Sequence, residues 1–393
     1  MGMFRLGEGI HHKMDTIRSQ FFWRGANDKF KYHMVKWEQL CVPKDFGGLG
    51  IINTRTFNDA IILKWAWRLL VDREEDVCCQ LLKTKYCRNR PFINSKGGCG
   101  SQFWKGLPRI RHNISFGLRM TVSDGRNTRF WDDCWTGEVL LRLLFPRLYN
   151  YCGKKDALVQ DYMCEGGPNI QFNRSFGALE IVEWEELVAK LSDVSLQPGK
   201  DKPVWAFDKS GCYSTKSMYR FFMFRGVRSK QLDKLWKSKL PMKLKIFMRL
   251  ALHERLQTGV ALKKKKWKGD ANCVLCNSPE TVNHILFQCV MAKFIWACFK
   301  EMLSWDRVPQ SLSHMLDYWI PVGCHDYDLK FFAFVIVAWS LWVTRNKIRI
   351  QQHYPRSPTS ILFKSVSLMQ RWSVLLREGG YKLFKSCFID TGC

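Results

Sequence analysis

Between residues 273 and 289 the chain reads CVLCNSPETVNHILFQC, three cysteines and a histidine in a C-x2-C-x7-H-x4-C spacing. Two cysteines separated by two residues form a knuckle, and a histidine and cysteine a few residues on can complete the tetrahedral N/S shell that zinc prefers. Cys273, Cys276, His284 and Cys289 are therefore the candidate metal ligands. Ser278-Pro279 supplies a helix start that places His284 on the first turns of a short helix, with Cys289 beyond it. All four positions are taken by protein, so the ion is structural and not catalytic, holding a segment that buries too little to be stable alone. A Cys3His set also suits other thiophilic metals, with zinc preferred over iron. The competing reading, four unrelated side chains in a chain of 16 cysteines, requires the full spacing to arise by chance.

The charge distribution sharpens the question of what such a staple holds. The net charge is +27, and from Lys209 to Lys268 there are 18 Lys or Arg against two acids, Asp233 and Glu254, a net of +16. A single lysine run such as KKKKWK reads as a solvated face or an import signal. Sustained over the whole stretch, with Tyr219, Phe221, Trp236 and Trp267 interleaved, the basic residues read as a phosphate-facing surface. The candidate phosphate contacts are Lys237, Lys239, Lys243, Lys245, Arg249, Lys263, Lys264, Lys265, Lys266 and Lys268.

With 393 residues, 46% of them hydrophobic, the chain has room for two or three domains with a real core. The opening MGMFRLGEGIHHKMD lacks the apolar stretch of a secretory leader. The expected setting is a reducing one, nuclear or cytoplasmic and not secreted, with most cysteines as thiols. The apolar run FFAFVIVAWSLWV, residues 331–343, is shorter than the ~20 residues a membrane span needs and reads as a buried helix, with no membrane partner.

The expected fold class is α+β, mainly α-helical with small β-hairpins, in several modules of which one is basic and zinc-stabilised. Residues 1–90 read as helical: Ile10, Met14, Ile17, Phe21 and Phe22 at helical spacing up to Gly25, the turn VPKDFGGLGI, then a strong helix over 57–70 with Phe57, Ile61, Trp65 and Leu69 one turn apart. Residues 100–150 read as a β-hairpin module turning at Asp124-Gly125. Residues 151–200 read as a linker with a short helix over 183–191. Residues 201–305 open with a second hairpin, VWAFDKSGCYST, then a helix capped by Ser214 or Thr215 and another with Pro241 near its first turn. Residues 306–393 form a tail with helices over about 326–352 and 358–377.

Taken together, these motifs resemble a known family. Gly211 to Tyr219 as G-x-Y-S-x-K-S-x-Y, Trp236 to Lys243 as W-K-x-x-x-P-x-K, Arg255 to Thr258 as R-L-x-T and the Cys/His set are similar to the zinc-binding domain downstream of the reverse transcriptase in plant LINE-type (non-LTR) retrotransposons. Upstream, FFWRG, KWEQLCVPKDFGGLGI and FNDAIILKWAWRLL resemble the stretch after the polymerase thumb of those elements, and DGRNTRFWDDCW resembles a further recurrent motif. LWVTRNKIRIQ resembles the helix that often precedes their ribonuclease H domain. The resemblance implies structural zinc and sequence-independent contact with RNA or DNA.

Polymerases of that family hold two metal ions on an aromatic-x-Asp-Asp turn and a third carboxylate. Here the adjacent pair Asp132-Asp133 lies in RFWDDCW, where Trp131 and Trp135 argue for packing. The sequence shows no Walker loop and no nucleophile elbow. The expectation is a non-catalytic retrotransposon-derived protein without a small-molecule substrate, binding nucleic acid through a zinc-stapled basic module. The alternatives are a protein-interaction scaffold and a non-functional relic of a reverse transcriptase polyprotein.

Overall fold

The computed structural model describes residues 2, 4–24, 32–71, 76–87, 100–164, 167–303, 305, 307–315, 320 and 327–376. The fold is α+β and mainly helical, with two small antiparallel sheets among the described residues, as the patterning predicts. Two compact units divide the chain, residues 1–14 with 53–224 and residues 15–52 with 225–393. Gly25, the expected end of the first helix, and residue 377, the expected end of the last, lie outside the described residues.

In the first unit the helix Thr54–Val71 is central. Its buried stripe is Asn58, Ile62, Ala66 and Leu69, flanked by Leu63 and Trp67, one position round from the stripe the sequence suggests. It packs against the helices Gln102–Ile110 and Thr215–Phe222. Ser214 caps the latter, its hydroxyl accepting from the Ser217 N–H at 3.1 Å. The aromatic residues of the Gly211–Tyr219 motif tie the unit together. The Tyr213 hydroxyl donates to the Ala60 carbonyl at 2.6 Å, and the Tyr219 hydroxyl accepts from the Asn53 N–H at 2.9 Å.

The strand Leu118–Thr121 pairs antiparallel with Lys202–Trp205, Leu118 opposite Trp205, and not with the run after Gly125 as the Asp-Gly turn suggests. Asp201 is the reason. Its carboxylate accepts from the N–H groups of Ser123, Gly125 and Asn127 at 2.7, 3.0 and 3.0 Å and from the Thr128 hydroxyl at 2.8 Å. The 123–128 loop is wound round one anion, which leaves no extended return strand. Burial pushes the Asp201 carboxyl up, and these donors outweigh it, so the group titrates below its ordinary range. The second expected hairpin closes by the Trp205 N–H to the Gly211 carbonyl at 2.8 Å, while its first arm pairs with Leu118–Thr121. Residues 152–175, which read as linker, are packed instead: Cys152, Ala157, Val159, Tyr162, Met163 and Ile170 are buried with Phe130, Trp131 and Leu187. Apolar residues spaced irregularly among glycines show no period, yet they bury like those of a regular element.

The second unit is built on the helices Lys230–Lys237, Met242–Leu252, Val290–Met302, Tyr327–Gln351 and Thr359–Ser373. The Tyr327–Gln351 helix is long and apolar enough by length and composition to cross a membrane, and 67% of its most apolar window is buried. Phe334 from this helix stacks on Phe287 and Trp296 at ring distances of 5.9 and 5.5 Å. The VPKDFGG turn is backbone-tight: a Cβ on Gly48 would lie 1.6 Å from the Val42 carbonyl oxygen, and Gly47 sits at φ +91°. In the helix Glu8–Arg24, Ile17 and Phe21 are 67% and 81% exposed, so the apolar face read from the sequence lies on the surface.

Candidate metal centre and basic surface

The knuckle is made by a short backbone loop. Asn272 and Pro279 form an isolated antiparallel bridge, and between them the Cys273 N–H donates to the Ser278 carbonyl at 2.8 Å and the Asn277 N–H to the Cys273 carbonyl at 2.9 Å. Asn277 takes φ +54°, a left-handed turn that asparagine tolerates because its short amide bonds locally. Pro279 belongs to this bridge and not to a helix start. The following turn begins at Thr281, whose hydroxyl accepts from the His284 N–H at 3.0 Å. His284–Gln288 is one π-helical turn, and Cys289 leaves it with extended backbone.

This arrangement brings the four predicted donors together, their ligand atoms all within 4.8 Å of one another. Cys273 Sγ lies 3.9 Å from Cys289 Sγ, and Cys276 Sγ lies 3.3 Å from His284 Nε2. A tetrahedral zinc with bonds of about 2.3 Å to sulfur and about 2.0 Å to nitrogen has ligand–ligand edges of roughly 3.5–3.8 Å. The two observed edges bracket that range, so the donor set fits zinc. The hydrogen bond between Cys273 and Cys289 pulls the Cys273 thiol down and pushes the Cys289 thiol up.

Behind the knuckle lies a cluster that sequence reasoning missed. The Glu280 carboxylate, 1% exposed, accepts from two nitrogens of the Arg345 guanidinium and from the Gly259 N–H at 2.8 Å, and Arg349 stands 3.9 Å away as an ion pair. Arg349 in turn donates to the carbonyls of Asp270 and Asn272. One buried acid thus ties the Tyr327–Gln351 helix to the entrance of the knuckle and to the start of the helix Gly259–Lys263. The i, i+4 spacing of Arg345 and Arg349, which puts both on one face of their helix, was the available signal.

The basic candidates separate by burial. Lys263, Lys264, Lys265, Lys266 and Lys268 are exposed on the turn between Gly259–Lys263 and the knuckle, with Lys266 at φ +62°. Lys237 is exposed and pairs with Asp233 at 2.7 Å, and Lys239 is exposed on the loop that follows. Lys243 sits over the rings of Trp372 and Trp339 at 5.0 and 5.8 Å. Lys245 is half-buried and donates to the Trp236 carbonyl at 2.8 Å. Arg249 departs from the expected surface: it is 3% exposed, its Nε donates to the Gly47 carbonyl at 2.5 Å, and burial lowers its pKa. It braces the glycine turn from inside. Among the aromatics, Trp236 lies under Lys44 at 5.1 Å and Trp267 under Arg349 at 5.2 Å.

In the first unit, Asp132 and Asp133 are spent on arginines. Asp132 pairs with Arg142 at 2.7 Å, and Asp133 accepts from the Arg129 backbone N–H and guanidinium at 2.7 and 2.8 Å. This agrees with the packing role that the flanking tryptophans suggest.

The pattern of the family described as zinc-binding in reverse transcriptase matches residues 213–296, which include all four metal donors. An Arabidopsis thaliana protein named "Putative ribonuclease H protein" is 26% identical over 356 residues, 86% of this chain. The chain spans 56% of that protein's length. A second Arabidopsis thaliana protein, named "Uncharacterized mitochondrial protein", is 31% identical over 137 residues, 34% of this chain and 88% of its own length. The chain belongs to the retrotransposon-derived family that carries the zinc-binding domain of reverse transcriptases. The expectation of a protein outside enzymology is corrected by these findings: a relative aligned along 86% of the chain bears a ribonuclease H name. That expectation weighed motifs missing from one stretch of sequence, and a stretch matching about half of a longer relative says nothing about catalysis in the rest.

Proposed function

We propose that this chain is the nucleic-acid-holding part of a LINE-type retroelement protein, in which Cys273, Cys276, His284 and Cys289 hold one structural zinc and exposed lysines contact phosphates without sequence preference. The observation that carries this reading is the exposed run Lys263–Lys268, set between a capped helix and the metal knuckle. Lys237, Lys239 and Lys243 are exposed in the same unit and add to its positive charge. Such a surface attracts RNA or DNA by releasing counterions, so its affinity falls steeply with salt. The name of the Arabidopsis relative supports placing this segment beside a ribonuclease H activity. The test is binding to single-stranded RNA across a salt series before and after zinc removal. Salt-sensitive binding that weakens with the metal removed supports the reading, and affinity indifferent to salt removes it.

A further inference from the structure

Within the second unit, away from the metal donors, lies an open cavity of about 470 Å³. That volume falls in the range of about 300–1,000 Å³ that small-ligand sites occupy. Its walls combine aromatic faces with cations. The rings of Trp23 and His33 lie 4.8 Å apart at 38°, and Trp37 lines the cavity beside them. Trp37 is fixed from behind: its Nε1 donates to Asp15 at 3.1 Å, and the Arg18 guanidinium sits 5.4 Å from its ring centroid. Among the described residues, Lys36, Arg255 and Lys265 supply positive charge at the same cavity, against one acid, Glu38. The wall at residues 32–39 is tied to the turn carrying Arg255 by the Gln257 side chain, which donates to the Tyr32 carbonyl at 2.8 Å.

We infer that this cavity receives one unpaired nucleotide of a single-stranded nucleic acid, its base stacked on the Trp23/His33 or Trp37 faces and its phosphates on Lys36, Arg255 and Lys265. The inference deepens the nucleic-acid reading and rests on it. Three features select this occupant. Stacking on aromatic faces accepts any base, which suits a surface without sequence preference. The excess of cations matches a phosphate on each side of a nucleotide. Lys265 belongs both to this wall and to the Lys263–Lys268 run, so a strand leaving the cavity continues onto the exposed lysines.

The test uses the full chain with zinc bound and two probes, a uridine RNA oligomer and a thymidine DNA oligomer, each carrying one photoreactive 5-iodouracil. Affinity is read by fluorescence anisotropy, and crosslinked peptides are mapped by mass spectrometry. The expected result is crosslinking at Trp23, His33 or Trp37 in the wild type. Trp23→Ala should lower affinity about 5- to 100-fold, as for one lost base stack, and Trp23→Phe should recover most of it. Crosslinking in either arm supports the cavity, and the stronger arm names the preferred sugar. Tight, salt-sensitive binding with crosslinks only at residues that do not line the cavity, such as Lys237, Lys239, Lys243 or Lys264, overturns the cavity while leaving the broader reading intact. Absence of binding by either probe overturns both.

Discussion

At Cys273 and Cys289 two buried sulfurs 3.9 Å apart share a hydrogen bond, and Cys276 and His284 close the set from the other side. Cys273→Ser should abolish the single bound zinc, read by metal analysis, and unfold the second unit at lower denaturant, because binding free energy at a structural zinc is folding free energy. These ligands were legible in sequence because all four lie within one short local run. Arg249 was not, since its burial depends on the Gly47 carbonyl, far away in the chain. Arg249→Met should therefore cost about 1.5–3 kcal/mol of stability, as for a lost hydrogen bond to a charged group, and leave the salt dependence of nucleic-acid binding unchanged. Lys264→Ala should do the reverse, lowering the log-log salt slope on single-stranded RNA by about 0.7 with stability unaltered. Asp201 gives a pH signature. Its folded pKa lies below the unfolded value of about 3.9, so its contribution is fully present above that value and is lost as pH falls through the folded pKa. Urea titrations of the wild type and Asp201→Asn should differ at pH 7, and the gap should narrow as pH falls below about 3.9; a gap independent of pH would show that the carboxylate charge is irrelevant.

Elements were read well where one period governs a long run. The helices Thr54–Val71 and Tyr327–Gln351 appear as their apolar spacing dictates, and Ser214 caps the helix it precedes. Partnership between elements was not legible. The strand Leu118–Thr121 finds Lys202–Trp205 because Asp201 gathers the intervening turn, a long-range event that the Asp-Gly signal does not contain. The same limit hid Glu280, whose partners Arg345 and Arg349 come from the Tyr327–Gln351 helix. Glu280→Ala leaves two guanidinium groups, 12% and 11% exposed, without their acid. The expected loss is about 3–5 kcal/mol, with increased hydrogen exchange over residues 259–272; unchanged exchange there would contradict the linkage. Gly48→Ala should cost about 3 kcal/mol or more, since its Cβ meets the Val42 backbone, which cannot yield as a side chain would.

At the scale of the whole chain, reading along the sequence groups neighbours, whereas residues 15–52 belong with 225–393. Within that unit, Arg228 pairs with Asp45 at 3.2 Å and the Ser229 N–H donates to the Asp45 carbonyl at 3.3 Å, contacts that no local pattern announces. What composition did convey was the imbalance of charge, +27 overall with +16 between Lys209 and Lys268. Charge of that size raises encounter rates with polyanions and makes them dependent on ionic strength. The proposed function stands on a zinc-fastened segment that presents this charge to nucleic acid. Its most direct test measures affinity for single-stranded RNA over a salt series in the wild type and Cys273→Ser, with bound zinc determined in each. The predicted result is one zinc and a log-log slope of several units in the wild type, at about 0.7 per phosphate neutralised, with both lost in the variant. A zinc-loaded wild type whose RNA affinity is negligible at moderate salt would contradict the claim and leave the metal as a staple of the fold alone.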